Sequence, residues 1–417
     1  MTKHLFAALA WCAVALPAAA GVPGGDLTVV NARVYTSPDA TPIEHATIVV
    51  RSGRIVALRA GDSGGGVRSG TLVDAHGGTV TAGFWNSHVH LLTPAVLHAR
   101  ERTADELAAE MEKMFTRWGF TTVFDVASLL TNTQVIRQRI DAGEVPGPRI
   151  FTVGDPFYPE HGTPIYVRKF LADNGIPSAE VASAAQATQR AQRQLAAGAD
   201  GVKVFAGAIV GGEIGVLPMP LEIATAVVRA AHAAGKPAFA HPSDAAGVEV
   251  AIASGVDVLA HTAPMMGPWD AALVARLRDH HMALIPTLTL FDVELKKGGD
   301  SEEVRQHVQD LTIEQLKVFA DGGGQVLFGT DIGYIDVYDT TEELQLMARA
   351  LGWRQILASL TTNPAQRFTH GGGTLTVGAP ADLVVLDGDP AQDVAALARV
   401  RYTIRDGRVL FPRAGHP

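Results

Sequence analysis

Short apolar runs recur through the middle of the chain, most of them closed by a polar residue. They are Phe84 to His90, Thr121 to Asp125, Arg149 to Val153, Gly201 to Phe205, Ala238 to His241, Val258 to His261, Met282 to Pro286 and Val326 to Asp331. Runs of four to eight apolar residues are typical of strands buried on both faces, as in a parallel sheet. Between them the spacing turns helical, near 104–118, 132–142, 179–197, 220–234, 245–254, 269–280, 302–321 and 340–360. Eight strands alternating with eight helices over 81–370 predict an α/β protein, a (β/α)8 TIM barrel. An open doubly wound sheet is the competing layout, but no Gly-x-Gly-x-x-Gly turn follows the first run.

The flanks follow another pattern. Leu27 to Val30 and Ala46 to Val50 are strand-like, with turn signals at Ser52-Gly53 and Asp74 to Gly77. Asp382 to Leu386 is a matching strand, and Tyr402 to Leu410 reads as a hairpin around Asp406-Gly407. Neither flank can hide two sheet faces alone, so 21–80 and 371–417 are expected to pair into one small β-sandwich lobe. Residues 1–20 read as a cleavable signal peptide: Lys3 at the start, Leu5 to Pro17 apolar, Ala18-Ala19-Ala20 as the small-residue cleavage site. An exported protein follows, periplasmic or secreted. The apolar stretch is too short for a membrane span, and no later run approaches the required ~20 residues.

Composition narrows the chemistry. Of 417 residues, 47% are hydrophobic and 18% charged, enough for a large core. The net charge of −9 becomes about −10 once Lys3 leaves with the signal, which gives nucleic acid or an anionic membrane no electrostatic footprint. The single cysteine, Cys12, lies inside the signal, so the mature chain would have neither disulfide nor thiol nucleophile. No interface stripe is legible, which leaves homo-oligomerisation open.

Six residues at or near the ends of these runs are the candidate chemistry: His88, His90, Lys203, His241, His261 and Asp331. His-x-His on a strand puts both rings on one face, because side chains repeat every two residues. Neutral imidazole is a common ligand for zinc and similar ions. Barrel strands carry active-site residues at their C-terminal ends, so the six would converge on a metal site. Asp331 could bind the metal and take a proton from attacking water, or simply cap a helix. Lys203 stays open between two readings. It is either a buried amine paired with a carboxylate, or an amine whose lowered pKa lets it form a carbamate with carbon dioxide. His98, His232, His280, His281, His307 and His370 fall on helices or loops and are not taken as ligands.

The segments Gly83 to His90, Gly119 to Val123, Gly201 to Val204, the His241, His261 and Asp331 strand ends, and Gly378 to Leu386 resemble the amidohydrolase superfamily. The likeness is to its imidazolonepropionase-like and Xaa-Pro dipeptidase (prolidase) branch. It implies two divalent metal ions, zinc for preference, with His88 and His90 on the more buried one and His241 and His261 on the other. Carboxylated Lys203 would bridge them, and Asp331 would bind and act as general base. A Gly-His after the third strand polarises the substrate carbonyl in related dipeptidases, a role that the resemblance gives to His161 of His161-Gly162. Ala82-Gly83 and Asn86-Ser87 depart from the usual proline-glycine and aspartate, which questions what supports the histidine pair.

The expected reaction is hydrolysis of a C–N bond, amide or dipeptide-like, in a small molecule by metal-activated hydroxide. A lactone or phosphoester hydrolase on the same binuclear site is the alternative, and a binding protein without catalysis the third reading. Tyr158, Met265, Trp269, Phe291 and Tyr334 are the expected substrate contacts, with Met266, Tyr338 and Arg168 as further candidates.

Overall fold

A computed structural model describes residues 24–61 and 70–412, so the expected signal segment lies outside the described residues. The fold is mixed α/β. The chain ends meet in one hydrogen-bonded sheet of eight strands, in which Leu27–Val34 pairs with three others and Leu383–Leu386 runs antiparallel to Thr79–Ala82. Its own core gathers Leu27, Val29, Ile48 and Val80 from one end of the chain and Leu383, Val385 and Ile404 from the other. Arg149 clamps this lobe to the rest, donating to Asp382 at 2.9 Å.

The central strands are β1 Phe84–Val89, β2 Phe120–Asp125, β3 Arg149–Thr152, β4 Val202–Phe205, β5 Ala238–His241, β6 Val258–Ala260, β7 Ala283–Ile285 and β8 Gln325–Val326. All pair in parallel, β1 to β3 in one arc and β4 to β8 in another. Backbone hydrogen bonds join the arcs at both seams. Phe157 N–H donates to Lys203 O at 2.8 Å, and Ser87 N–H donates to Phe328 O at 2.7 Å. Inside the arcs lie Phe124, Val153, Phe239, Val258, Ala283, Ile285 and Leu327, while Val123, Val202, Val204, Leu259 and Leu284 face the helices. That alternation explains the unbroken apolar runs: both faces are covered.

Besides a short helix at Thr362–Arg367, two helices were not anticipated. α1, Ile165–Asp173, follows β3, and α2, Leu288–Gly298, follows β7. Among the described residues no helix is long and apolar enough to cross a membrane.

Candidate metal centre and its cavity

All six expected ligands come together at one end of the parallel strands. The donor atoms of His88, His261 and Asp331 lie within 4.8 Å of one another. His90 Nε2 stands 2.8 Å from Asp331 Oδ1, and Lys203 Nζ 3.4 Å from His88 Nε2. The His241 ring packs edge-on to His261 at 4.7 Å and stacks on Phe205 at 4.9 Å.

Local backbone choices aim these groups. In β1 the register slips between Asn86 and Val89, so Phe84 and Val89 both join the outer core and His88 and His90 turn inward. His261 follows β6 with φ +92° and Asp331 has φ +61°, conformations rare for residues with a Cβ and often stored at functional sites. Gly333 lets the chain after Asp331 press against β1: a Cβ there would lie 1.8 Å from His90 O.

Hydrogen bonds fix which nitrogens are bare. His90 Nδ1 lies 2.7 Å from Ala127 O, and a carbonyl only accepts, so Nδ1 carries the proton. Below that turn, buried Asp125 accepts from Ser128, Thr133 and Thr152 hydroxyls at 2.5, 2.9 and 2.9 Å. His261 Nδ1 donates to Thr287 Oγ1 at 2.7 Å, the Thr287 proton being directed to Pro286 O at 2.8 Å. With the ring proton at Nδ1, Nε2 is the nitrogen of His90 and of His261 that can present a lone pair. At His90 that lone pair faces an Asp331 oxygen that has no hydrogen bond of its own. Two lone pairs 2.8 Å apart repel unless a cation or an extra proton lies between them. The donor set, nitrogen and carboxylate, fits a divalent transition metal.

Burial sets the charges. Desolvation, with Lys203 nearby, pushes His88 and His241 down to about 3, and His261 also falls well below its ordinary value. Neutral rings are what a metal needs. Burial lowers Lys203 to about 8, and among the described residues its side chain forms no ion pair with a carboxylate. Burial works to raise the Asp331 carboxyl, and it falls well below the usual carboxylate range only against positive charge at His88 and His90, the place that a cation would take once both rings are neutral. Asn86 does not reach the His88 ring. It accepts the His88 backbone N–H at 3.2 Å and donates to Thr330 at 2.8 Å, leaving His88 Nδ1 without a partner among the described residues.

The cluster forms the floor of a cavity of about 410 Å³. Tyr158, Met265, Phe291 and Tyr334 line it, as expected of substrate contacts. Two expectations need correction. Trp269 is buried and packs on Phe319, away from the cavity, because its side chain completes the core beneath the neighbouring helix. His161 is exposed on the turn after Pro159 and does not line the cavity; the turn is fixed by its backbone N–H, which donates to Glu180 at 3.0 Å. Arg168, Met266 and Tyr338 also lie outside the lining. Sequence reading missed Thr287, which orients His261, and Thr262, a lining residue whose own hydroxyl is buried and without a partner among the described residues. It also missed the walls supplied by α1 and α2. Tyr166, Val167, Phe170 and Leu171 repeat at i, i+1, i+4 and i+5, as do Leu290, Phe291, Glu294 and Leu295, a helical signal that was present in both segments.

Solved structures share this architecture. A putative prolidase from Bifidobacterium longum is 23% identical, with a TM-score of 0.77 over 95% of this chain and 97% of that one. A Xaa-Pro dipeptidase with bound methionine in its active site is 22% identical, at 0.77 over 92% and 99%. Aspergillus niger (A. niger) ochratoxinase is 16% identical, at 0.76 over 94% and 97%. At such identities these likenesses speak for the fold alone. No curated protein matches the sequence. The amidohydrolase family model matches residues 79–410, most of the lobe-to-lobe span and every residue of the cluster, so this chain belongs to the amidohydrolase family.

Proposed function

We propose that this chain is a metal-dependent amidohydrolase cleaving the C–N bond of a small amide, on a (β/α)8 barrel whose mouth carries a binuclear centre. The observation that carries it is the set of imidazole nitrogens turned on an Asp331 oxygen that has no hydrogen bond among the described residues, at the floor of a cavity of about 410 Å³. His88 and His90 would hold one ion, His241 and His261 a second, with zinc suited to such a nitrogen and oxygen donor set. Bound there, the ions would supply Lewis acidity towards water and towards a carbonyl oxygen alike. Lys203, buried and in no ion pair with a carboxylate among the described residues, has the lowered amine pKa that carbamate formation needs. Its nitrogen would bond the carbon of carbon dioxide and release a proton, giving an anionic group between the histidine pairs.

Beside bound cations Asp331 would be ionised, and it could then take a proton from the attacking water and return it to the leaving nitrogen. Ala127 and Thr287 hold the ring tautomers while this happens. The test is metal analysis of the purified protein with a hydrolysis screen of amides, dipeptides and lactones on the same sample. Metal near two equivalents and chelator-sensitive amide cleavage are expected; hydrolysis untouched by chelation, or confined to lactones, would refute the proposal. Export through residues 1–20 is a separate proposal, checked by cell fractionation.

A further inference from the structure

The upper cavity is walled by two helices that present apolar faces to each other's space. On α1 no residue is fully buried, although Tyr166, Val167, Phe170 and Leu171 form a continuous apolar face directed into the cavity. On α2 the matching face is Leu290, Phe291 and Leu295. The one charge on that face, Glu294, accepts from the Tyr334 hydroxyl at 2.8 Å and from Lys297 at 2.9 Å. Asp155 is the other carboxylate in the lining outside the cluster.

Cations are missing from this space. Among the described residues no arginine lines the cavity, and its only lysine is Lys203 at the floor. The nearby arginines are turned to backbone carbonyls. Arg190 donates to Ala179 O and Pro156 O, both at 2.6 Å, and Arg168 donates to Thr163 O at 3.0 Å and Val210 O at 3.4 Å. A substrate carboxylate entering the upper cavity would shed water and find no free cation in the lining among the described residues, because Lys297 is already paired with Glu294 and Arg190, beside Asp155, is held by backbone carbonyls.

From this, and resting on the amidase reading of the floor, we infer that the substrate is an uncharged amide with an extended apolar or aromatic body, and not a peptide read through a free carboxylate. The apolar faces of α1 and α2 grip the body while the scissile bond sits over the cluster. A pocket of this size and lining suits such a small molecule.

The test uses the metal-loaded protein and matched pairs: N-acyl-3-methoxyanilides against N-acyl-3-aminobenzoates, acetyl to hexanoyl. The neutral member should win by at least about tenfold in kcat/KM, the cost of an unpaired buried polar group. Each added methylene should raise kcat/KM about fourfold. Phe170→Arg, and independently Leu295→Arg on the facing wall, should each narrow the neutral-to-acid ratio by about tenfold. The same pairs are titrated by calorimetry, so affinity is read without turnover. Neutral ligands that bind more tightly but are not cut would support the apolar cavity and sink the amidase reading. Acids that bind and turn over as well as, or better than, their neutral partners would overturn the inference, as would a flat chain-length series.

Discussion

Thr287→Val tests whether the arrangement around His261 is a built metal site or an incidental cluster. Thr287 sits at φ +48°, a conformation that a β-branched residue avoids, and its hydroxyl bridges His261 Nδ1 and Pro286 O at 2.7 and 2.8 Å. Valine keeps the shape and deletes both bonds. The buried His261 N–H would then have no acceptor, at a cost of about 1–3 kcal/mol, and the ring could carry its proton on either nitrogen. Ligands stripped of such an orienting partner typically lose about 10–100-fold in metal affinity, which is about 1.4–2.7 kcal/mol. Thr287→Ser keeps the hydroxyl and drops the branch, so its affinity should stay within about threefold of the parent. The assay is chelator competition on purified protein, with thermal unfolding of the metal-free form in parallel to separate lost ligation from lost fold. Parent-like affinity in Thr287→Val would refute the argument. So would an equal fall in Thr287→Ser, because backbone strain rather than the hydrogen bond would then be the cause.

Lys203→Ala should cut bound metal by about half or more and abolish amide hydrolysis, with partial rescue by short carboxylic acids; full metal content would exclude a bridging carbamate. Gly333→Ala should destabilise by more than about 3 kcal/mol, since its φ is +93° and a Cβ would meet His90 O, whereas Gly299→Ala, left-handed at φ +82° with open space, should cost about 1 kcal/mol. Urea unfolding reads both, and similar costs would mean that conformational strain, not the clash, decides. The metal-free protein should also be acid-labile. Burial holds His88 and His241 near 3 when folded, against 6.5 in the unfolded chain, so the unfolded state binds more protons between those values. Stability is therefore complete above about 6.5 and falls as pH drops through that window, by up to about 1.4 kcal/mol per pH unit for each ring. A melting temperature unchanged from pH 7 to 5 in chelator would contradict this.

What could be read from the sequence was whatever repeats with the period of an element. The eight parallel strands announce themselves because each is covered on both faces, and the candidate ligands because they stand in or at the ends of those apolar runs. The same logic misleads at His161, whose place in a His-Gly pair said nothing about a ring on an exposed turn, and at Trp269, where size suggested a substrate contact and the core claimed the side chain. The helices of the cavity wall were hidden for a different reason. Only part of each apolar face is absorbed by the core, Tyr166 and Val167 beside Tyr158 and Phe205 and Leu288 in the main core, while Phe170, Leu171, Phe291 and Leu295 line the space above the histidine cluster. Nor does spacing disclose that Asp331 must adopt φ +61°, or that Thr287, 26 residues beyond His261, fixes its tautomer. Those depend on which strand end lies beside which. A sequence lists donor types, but the chemistry of the site resides in which lone pairs are left bare, and hydrogen bonds made after folding decide that.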